Sequence, residues 1–454
     1  MATADAADPS APRELWLGMF LGEAPERRRV GAIHLQRAPE TRRQRPGVVL
    51  RMTLAAELEL FARTTDLRLA GELWRADSGS LAELALRVDS GEAVFALDGR
   101  VEGGRLRATV TSAGEANPLE LAVPAELGLS GGLGTSLTLP RLEPGERARV
   151  ETLDPLTLRV TSARVRALRE ERLQIAGEEV EALALEIDAG GFVTRAWIDR
   201  DGEVLRATTP LGLELERISA AEALRPAQGA GDQLLRLTAV APSGERPLRG
   251  ARSLRLRVSG ISELPSDSTQ AVGDDGLVTI EPGAGDRDPE PLDAHLGADA
   301  FVQSGHPAIV EQARAVVAAA GPTDRERARA IHDWVHQEIA KEPVLSIPSA
   351  LEVLASRRGD CNEHTVLYTA LARAAGVPTR IAIGLVWSDE LAGFYYHAWP
   401  EVFLDGRWHW TDPTLGQPTA DATHLKLLNG GIETWTGILP ALGRIGIEVL
   451  EVRK

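Results

Sequence analysis

Short runs of alternating apolar and polar residues fill residues 15–224, and turn dipeptides separate them. Val48 to Leu54 and Leu84 to Val88 are two such runs. The turn dipeptides include Asp98-Gly99, Gly103-Gly104 and Asp201-Gly202. A period of two places every second side chain on one face of a strand, and Asp-Gly and Gly-Gly pairs favour two-residue hairpin turns. The pattern predicts a large antiparallel sheet or half-barrel with one packed face and few helices.

The sequence divides into segments of different composition. At roughly 150 residues per domain, the 454 residues suffice for about three domains. We expect a disordered tail over residues 1–14, an antiparallel β-rich domain over residues 15–224, a small β module with a linker over residues 225–294, and a domain with helices over residues 295–454. The linker is expected near Ala227 to Gly231. The Gly-, Asp- and Pro-rich stretch before residue 295 marks the start of helical spacing.

The formal net charge of −16 restricts the partners of the chain. Nucleic acids and anionic membrane surfaces attract basic faces, so neither is expected as a partner. No run approaches the roughly 18 apolar residues of a membrane span, so no integral membrane segment is expected. The first residues lack a charged segment followed by an apolar one, and we therefore expect no export signal in the sequence as given.

Cys361 is the only cysteine of the chain, so it cannot form an internal disulfide. Asp360 precedes it and Glu363 follows Asp360 by three positions, which is the spacing of a capping box. Cys361 is therefore predicted to be the first residue of a helix that ends at Gly376. Free N–H groups and the helix dipole at that position favour a thiolate and can hold an oxyanion. The alternative is a small buried hydrophobe, but the flanking residues are polar.

The pair Asp405-Gly406 predicts a type I′ hairpin turn between two strand-like runs. In that register residue 399 pairs with 412 and residue 397 pairs with 414. His397 and Asp412 then share a sheet face at diagonal positions, about 7–8 Å apart at Cα. An imidazole and a carboxylate can form a hydrogen bond across that gap.

Cys361, His397 and Asp412 together supply a nucleophile, a base and an orienting carboxylate, and we predict them as the catalytic residues. Trp399 and Trp410 lie on the face of His397. They are either core residues or the wall of a channel that binds substrate. Nothing resembles a calcium loop of alternating carboxylates, and no cofactor is predicted.

His332 and His336 have the i, i+4 spacing of a helical zinc site. Asp333 stands where a zinc protease carries glutamate, and the sequence offers no third ligand. An ordinary amphipathic helix is therefore favoured, and no metal is predicted.

Ordered blocks between residues 321 and 430 resemble the transglutaminase-like superfamily, whose members have a papain-like cysteine fold. The blocks are Asp324 to Ala328, Ile331 to Val335, Ala350 to Leu354, Arg358 to Cys361, Leu371 to Arg380, Tyr396 to Val402 and Trp410 to Thr414. The resemblance implies Cys361 as the nucleophile, His397 as the acid/base and Asp412 as the orienting residue. Thr419 to His424 also resembles the segment that follows the aspartate in bacterial members and packs beside the site.

The resulting fold prediction is α+β: an N-terminal antiparallel β-rich half-barrel or sheet domain, followed over residues 295–454 by a papain-like transglutaminase core with helices packed on an antiparallel sheet. The β-rich half fits the architecture of exported bacterial members. A periplasmic or otherwise exported location is therefore expected, with the export signal missing from the sequence as given, and a cytoplasmic location is the alternative.

The resemblance implies cysteine-dependent acyl transfer on a protein or peptide amide through a thioester. An amine acceptor gives crosslinking, whereas water gives the reaction of a cysteine peptidase or amidase. Both reactions use the same three residues, so both stay open. A third alternative is a non-catalytic peptide- or lipid-binding module with a vestigial core.

Overall fold

The structure is a computed structural model in which the chain forms two compact units, residues 1–234 and residues 235–454. The described residues are 12–22, 27–60, 63–76, 80–89, 94–112, 114–124, 127–129, 142–154, 159–189, 192–209, 212–227, 239–261, 263–282, 292–342, 349–431 and 444–454. Most of the predicted tail and of the linker near residue 230 lie outside them. Arg13 and Glu14 belong to the first strand, so strand structure begins two residues before the predicted boundary.

The first unit consists almost entirely of strands. They are β1 (Arg13–Leu21), β2 (Arg28–Pro39), β3 (Gly47–Leu60), β4 (Arg63–Ala76), β5 (Leu81–Asp89), β6 (Val94–Glu102), β7 (Arg105–Ser112), β8 (Glu115–Ala122), β9 (Leu127–Leu129), β10 (Arg147–Asp154), β11 (Arg159–Ile175), β12 (Glu178–Ala189), β13 (Phe192–Ile198), β14 (Val204–Thr208) and β15 (Glu214–Arg217). Within the described residues of this unit, the helix α1 (Ala220–Ala223) follows them.

All of these strands belong to one 15-stranded sheet in the order β8-β7-β6-β5-β4-β3-β2-β1-β15-β14-β13-β12-β11-β10-β9. Neighbours are antiparallel except β9 and β10, which are parallel. β1 pairs with β15 in the interior of the sheet, so the first and last strands of the unit close the two halves together. The predicted large antiparallel sheet with few helices is confirmed.

The turn predicted at Gly103-Gly104 is present. Their φ angles are 59° and 76°, the left-handed values that both central residues of a type I′ turn require. Glu102 pairs with Arg105 across the turn. A residue with a Cβ would be strained at either glycine, and the hairpin between β6 and β7 therefore depends on both.

The turn predicted at Asp98-Gly99 is wrong. Both residues lie inside β6, where Gly99 pairs with Ala108 of β7. A Cβ on Gly99 would lie 2.7 Å from Leu106 Cδ1, so the glycine permits close packing of neighbouring side chains. An Asp-Gly pair fits both a turn and a packing point of this kind inside a strand, so the sequence alone does not distinguish the two.

The second unit combines helices and strands. Its helices are α2 (Pro307–Val317), α3 (Asp324–Glu338), α4 (Ala350–Ser356) and α5 (Cys361–Ala374). Its strands are β16 (Ser243–Gly244), β17 (Ser253–Ser259), β18 (Gln270–Val272), β19 (Leu277–Ile280), β20 (Ala340–Lys341), β21 (Arg358–Gly359), β22 (Thr379–Ser388), β23 (Gly393–Leu404), β24 (Arg407–Trp410), β25 (His424–Asn429) and β26 (Gly446–Arg453). The α+β class is therefore confirmed.

Strands of the second unit form two main sheets. One is antiparallel, with the order β24-β23-β22-β25. The other has the order β16-β26-β17-β19-β18, and β26 near the end of the chain pairs with β17 over the whole of that strand. The strands predicted in the module at residues 225–294 thus share a sheet with residues 446–453. A separate module with those bounds stays a prediction.

Helix α5 packs against the four-stranded sheet. Its residues from Glu363 to Ala372 are all buried. Thr365 Oγ1 donates a hydrogen bond to Ala398 O at 3.0 Å, which joins the helix to β23. Among the helices that the structure describes, none has both the length and the apolar character that crossing a membrane requires.

Candidate active site

A capping box fixes the start of α5. Asp360 is the N-cap, and its Oδ1 accepts a hydrogen bond from Asn362 N at 2.9 Å. The Glu363 carboxylate accepts the return bond from Asp360 N at 3.0 Å. Gly359 makes room for it, because a Cβ there would lie 2.1 Å from Glu363 Cβ. Cys361 is therefore the first helical residue, as the sequence predicts.

Cys361 as a whole residue is half-buried, and its sulfur bonds the backbone of Ala398 in β23. Burial, together with the charges of Asp360, Glu363 and Asp412, raises the pKa of this thiol well above its usual value, and a hydrogen bond with the backbone of Ala398 only partly opposes the rise. The sequence predicts the opposite, a thiolate favoured by the helix terminus. Burial is the largest cause of this rise, and it favours the protonated thiol.

The hairpin formed by β23 and β24 has the predicted turn and register. Asp405 and Gly406 have φ angles of 54° and 85°, as a type I′ turn requires. Leu404 pairs with Arg407 across it, and the ladder continues to Trp410. The sheet face that carries His397 is therefore the predicted one.

His397 and Asp412 make the predicted contact. His397 Nε2 lies 2.8 Å from Asp412 Oδ2, and both side chains are buried. Asp412 makes this contact from a turn beyond the end of β24, where its backbone N and O each bond Gln417 at 2.8 Å. The pairing of residue 399 with 412, which the sequence predicts, is therefore absent, although the side chain arrives at the same place.

The protonation states of this pair follow from burial and charge. Burial lowers the pKa of His397, and the nearby Asp412 charge opposes that change. Burial also disfavours the Asp412 charge, but the contacts of His397 and His424 hold the pKa of that carboxyl well below its usual range. At neutral pH, Asp412 is a carboxylate and His397 is a neutral ring. With Nε2 donating to Asp412, Nδ1 is the nitrogen that can accept a proton.

His424 is a site residue that spacing and motifs in the sequence do not predict. Its Nε2 lies 3.1 Å from the same Asp412 Oδ2, and its ring centroid lies 5.7 Å from that of His397. It begins β25, which pairs with β22. Spacing along the chain does not reveal that pairing. The available signal was the resemblance of Thr419 to His424 to a segment that packs beside the site.

Among the described residues, His397, Asp412 and His424 are also a set with metal-ligand chemistry, since their ligating atoms all lie within 4.8 Å of one another. Hydrogen bonds from both rings to one carboxylate oxygen account for that spacing. We therefore assign no metal to them.

Trp399 and Trp410 are core residues. Their exposed fractions are 0% and 1%, and their ring centroids lie 5.3 Å apart. A substrate needs accessible surface, and neither ring provides it. The structure favours the core alternative over the channel wall, while Trp399 still supports the site because its ring stacks 6.1 Å from His397.

Glu401 lies on the same face and is part of a buried ion cluster. Its carboxylate accepts hydrogen bonds from Arg380 Nε at 2.5 Å and Lys426 Nζ at 2.6 Å. Lys426 also bonds the carboxylate of Asp267. Glu401 is therefore a buried member of an ion cluster.

His332 and His336 bond backbone carbonyl groups in the segment that holds Asp412. His332 Nε2 lies 3.3 Å from Asp412 O, and His336 Nδ1 lies 2.8 Å from Pro413 O. These contacts attach α3 to the turn that presents the Asp412 carboxylate. These bonds give the two histidines a structural role, in agreement with the interpretation that the sequence favours.

Comparison with protein families identifies the region that carries this site. Residues 298–413 match the family model of the transglutaminase-like superfamily. The match includes Cys361, His397 and Asp412, and it confirms the resemblance seen in the sequence blocks.

Two curated relatives match a similar length. The kyphoscoliosis peptidase of Mus musculus is 29% identical over 116 residues, and that of Homo sapiens is 30% identical over 116 residues. Each match covers 23% of this chain and 18% of the relative. The chain thus spans less than a fifth of the length of these relatives.

Solved structures show only remote likeness. A candidate cysteine protease from Cytophaga hutchinsonii has 16% identity and a TM-score of 0.28, with 47% of this chain and 85% of that chain covered. A β-barrel-like protein from Brucella abortus, a domain of unknown function, has 10% identity and a TM-score of 0.32, with 46% and 96% covered. Scores this low carry no argument about this chain.

Proposed function

We propose that the region matching the transglutaminase-like superfamily catalyses cysteine-dependent acyl transfer on protein or peptide amides through a thioester. The observation that carries the proposal is the 2.8 Å contact of His397 with Asp412, on a strand whose next residue, Ala398, bonds the sulfur of Cys361. The family match and the peptidase name of the two relatives support a cysteine-protease-like or acyltransferase-like role. A papain-like core is part of the proposal.

In the proposed reaction, the Cys361 sulfur attacks the amide carbonyl carbon while the thiol proton passes to Nδ1 of His397. Asp412 stabilises the imidazolium that forms. The carbon–nitrogen bond then breaks, His397 returns the proton to the departing amine, and a thioester remains on Cys361. An amine or water attacks the thioester, gives a proton to His397, and releases the acyl product as the thiol is restored.

The developing oxyanion needs a donor close to the reacting sulfur. The backbone N–H of Cys361 lies in the first turn of α5, where N–H groups have no partner within the helix. We propose it as one donor. The neutral resting state of the thiol and of His397 means that the charges form during attack, so the electrostatic support of the site acts on the transition state.

Crosslinking and hydrolysis are distinguished by the acceptor. Candidate proteins would be incubated with a labelled primary amine, and the products would be examined for incorporated label and for cleavage. Label incorporation lost in Cys361→Ala supports acyl transfer to amines, whereas cleavage without incorporation supports a peptidase or amidase. His409→Gln is a matched control, because His409 pairs with Val402 and its side chain therefore lies on the sheet face opposite to that of His397.

The same experiment tests the third alternative. A binding module with a vestigial core should show neither reaction, with wild type and Cys361→Ala behaving alike. An equal rate of label incorporation in both proteins would also contradict the proposed role of the thiol.

We further propose an exported, periplasmic location, supported by the combination of a large β-rich region with this core. Cell fractionation with an antibody against the chain tests it. Recovery only in the cytoplasmic fraction contradicts the proposal.

A further inference from the structure

His424 is completely enclosed, with an exposed fraction of 0%, and both of its ring nitrogens are engaged. Nε2 faces Asp412 Oδ2 at 3.1 Å. Nδ1 faces Asp421 O at 3.0 Å and Asp421 Oδ1 at 3.4 Å. A doubly protonated ring can donate from both nitrogens at once, whereas a neutral ring can donate from only one. The geometry therefore suits an imidazolium between two carboxylates.

The Asp412 carboxylate is fully occupied by this arrangement. Its Oδ2 receives both His397 Nε2 at 2.8 Å and His424 Nε2 at 3.1 Å. Its Oδ1 accepts a hydrogen bond from Leu415 N at 3.0 Å. Because hydrogen bonds hold both oxygens, the Asp412 carboxylate cannot rotate away from His397. Its single negative charge interacts with both histidine rings.

We propose that His424 is a positioning residue of the acyl-transfer site, which as an imidazolium joins Asp421 to Asp412 and shares the Asp412 carboxylate with His397. The inference rests on the proposed function for the role of His397 as a base. It adds a fourth and fifth residue to the set predicted from sequence. Asp421 acts through His424, and His424 acts through Asp412.

The charged groups around His424 support the protonated form. Burial alone would favour the neutral ring, but the hydrogen bonds with Asp412 and Asp421 outweigh burial and raise the pKa of His424. The neutral His397 ring lies 5.7 Å from the His424 ring between centroids, and the positive Arg249 has its Nη1 3.8 Å from Asp421 Oδ1.

A remaining neighbour of the His424 ring is apolar. The ring of Trp399 meets the His424 ring edge-on, with 5.1 Å between the ring centroids. This side of His424 is therefore covered by an uncharged ring. The charge on His424 in turn lowers the pKa of His397.

The test is a histidine NMR titration of the whole protein without substrate. His424→Gln keeps a donor but removes the positive charge, so the Asp412 charge is no longer shared. The pKa of His397 should then rise by about 1 unit. Asp421→Asn weakens the support for the His424 proton and should shift His397 in the same direction by less. The His397 signal is assigned as the one absent in His397→Gln.

A purely structural His424 would leave the His397 titration unchanged in a folded His424→Gln protein, and that result overturns the inference. His409→Gln is the matched control and should not move His397. If His424→Gln fails to fold, the wild type decides, because a His424 ring that is neutral at pH 7 also contradicts the proposal. The titration uses no reaction, so a failure to detect acyl transfer leaves its outcome unaffected.

Discussion

The two units of this chain differ in where their charged side chains lie. In the first unit, most buried side chains are apolar, such as Leu17 and Ile33, both 0% exposed, and the buried Arg29 bonds backbone carbonyl groups. Ion pairs such as Arg164 with Asp188 lie at the surface. In the second unit, Lys426 and Glu401 are 0% exposed and pair with each other. Burial of a charge is costly unless it is fully paired.

The difference shows which unit depends on specific contacts between buried polar groups. A sheet built from local hairpins can be stable with an apolar interior alone. The second unit instead contains buried histidines, aspartates and a lysine, and buried titratable groups of this kind are common at functional sites. Four measurements test this difference between the units.

The largest expected effect comes from Lys426→Met. The substitution keeps a long side chain but leaves Asp267 and Glu401 without one of their cations, and breaking a buried pair costs about 3–5 kcal/mol. Hydrogen exchange with mass spectrometry should show this loss in peptides of the second unit. Unchanged protection there, or an equal loss in the first unit, would contradict the contrast.

The second effect is a dependence of stability on pH. Burial lowers the pKa values of His332, His364, His397 and His409. Stability from such groups is present above the unfolded-state pKa of about 6.5 and is lost as the pH falls through the folded value. His424 has a raised pKa and acts oppositely, with its contribution lost as the pH rises.

Because the lowered groups outnumber His424, the second unit should lose stability between pH 7.5 and pH 5. The first unit has a single histidine, His34, and should change less. Alkylation of Cys361 in denaturant reports unfolding of the second unit, since the chain has no other thiol. A midpoint that is equal or higher at pH 5 would refute the prediction.

The third effect is a packing defect in the first unit. In Gly99→Val, the new Cβ would meet Leu106 Cδ1 at 2.7 Å and Ala108 Cβ at 2.8 Å. Overpacking of this kind costs about 1–3 kcal/mol. Hydrogen exchange in β6 and β7 should increase, while the denaturant midpoint for Cys361 alkylation stays the same. A shift of that midpoint would mean that the two units do not unfold independently.

The smallest effect is expected from Arg164→Ala. The Arg164 side chain is 81% exposed and its pair with Asp188 is at the surface. Such pairs contribute about 0–1 kcal/mol. Denaturant unfolding followed by hydrogen exchange in β11 should show at most this change, and a loss as large as that of Lys426→Met would remove the distinction between the units.

Features set by neighbours along the chain could be predicted from the sequence. The capping box of Asp360 and Glu363, the helix start at Cys361 and the Asp405-Gly406 turn each depend on a few adjacent residues. The contact of His397 with Asp412 was predicted from the register of the Asp405-Gly406 turn, although Asp412 reaches it from a turn beyond β24 and not from the predicted pairing with Trp399.

Features set by distant pairing could not be predicted. His424 reaches Asp412 because β25 pairs with β22, and no local pattern specifies that choice. The elevated thiol pKa of Cys361 likewise depends on burial and, to a smaller extent, on the Asp412 carboxylate, which comes from the turn after β24. Gly99 shows a local limit as well, since the same dipeptide fits a turn and the inside of a strand.

The pairing of β17 with β26 bears on how the protein is made. Ser253 pairs with Arg453 and Ser259 pairs with Gly446, so one side of β17 has no partner until residues 446–453 have left the ribosome. During synthesis the nascent second unit therefore exposes an open strand edge, while β1 to β15 can already pair. The five-stranded sheet of this unit can therefore be completed only after residues 446–453 have been translated.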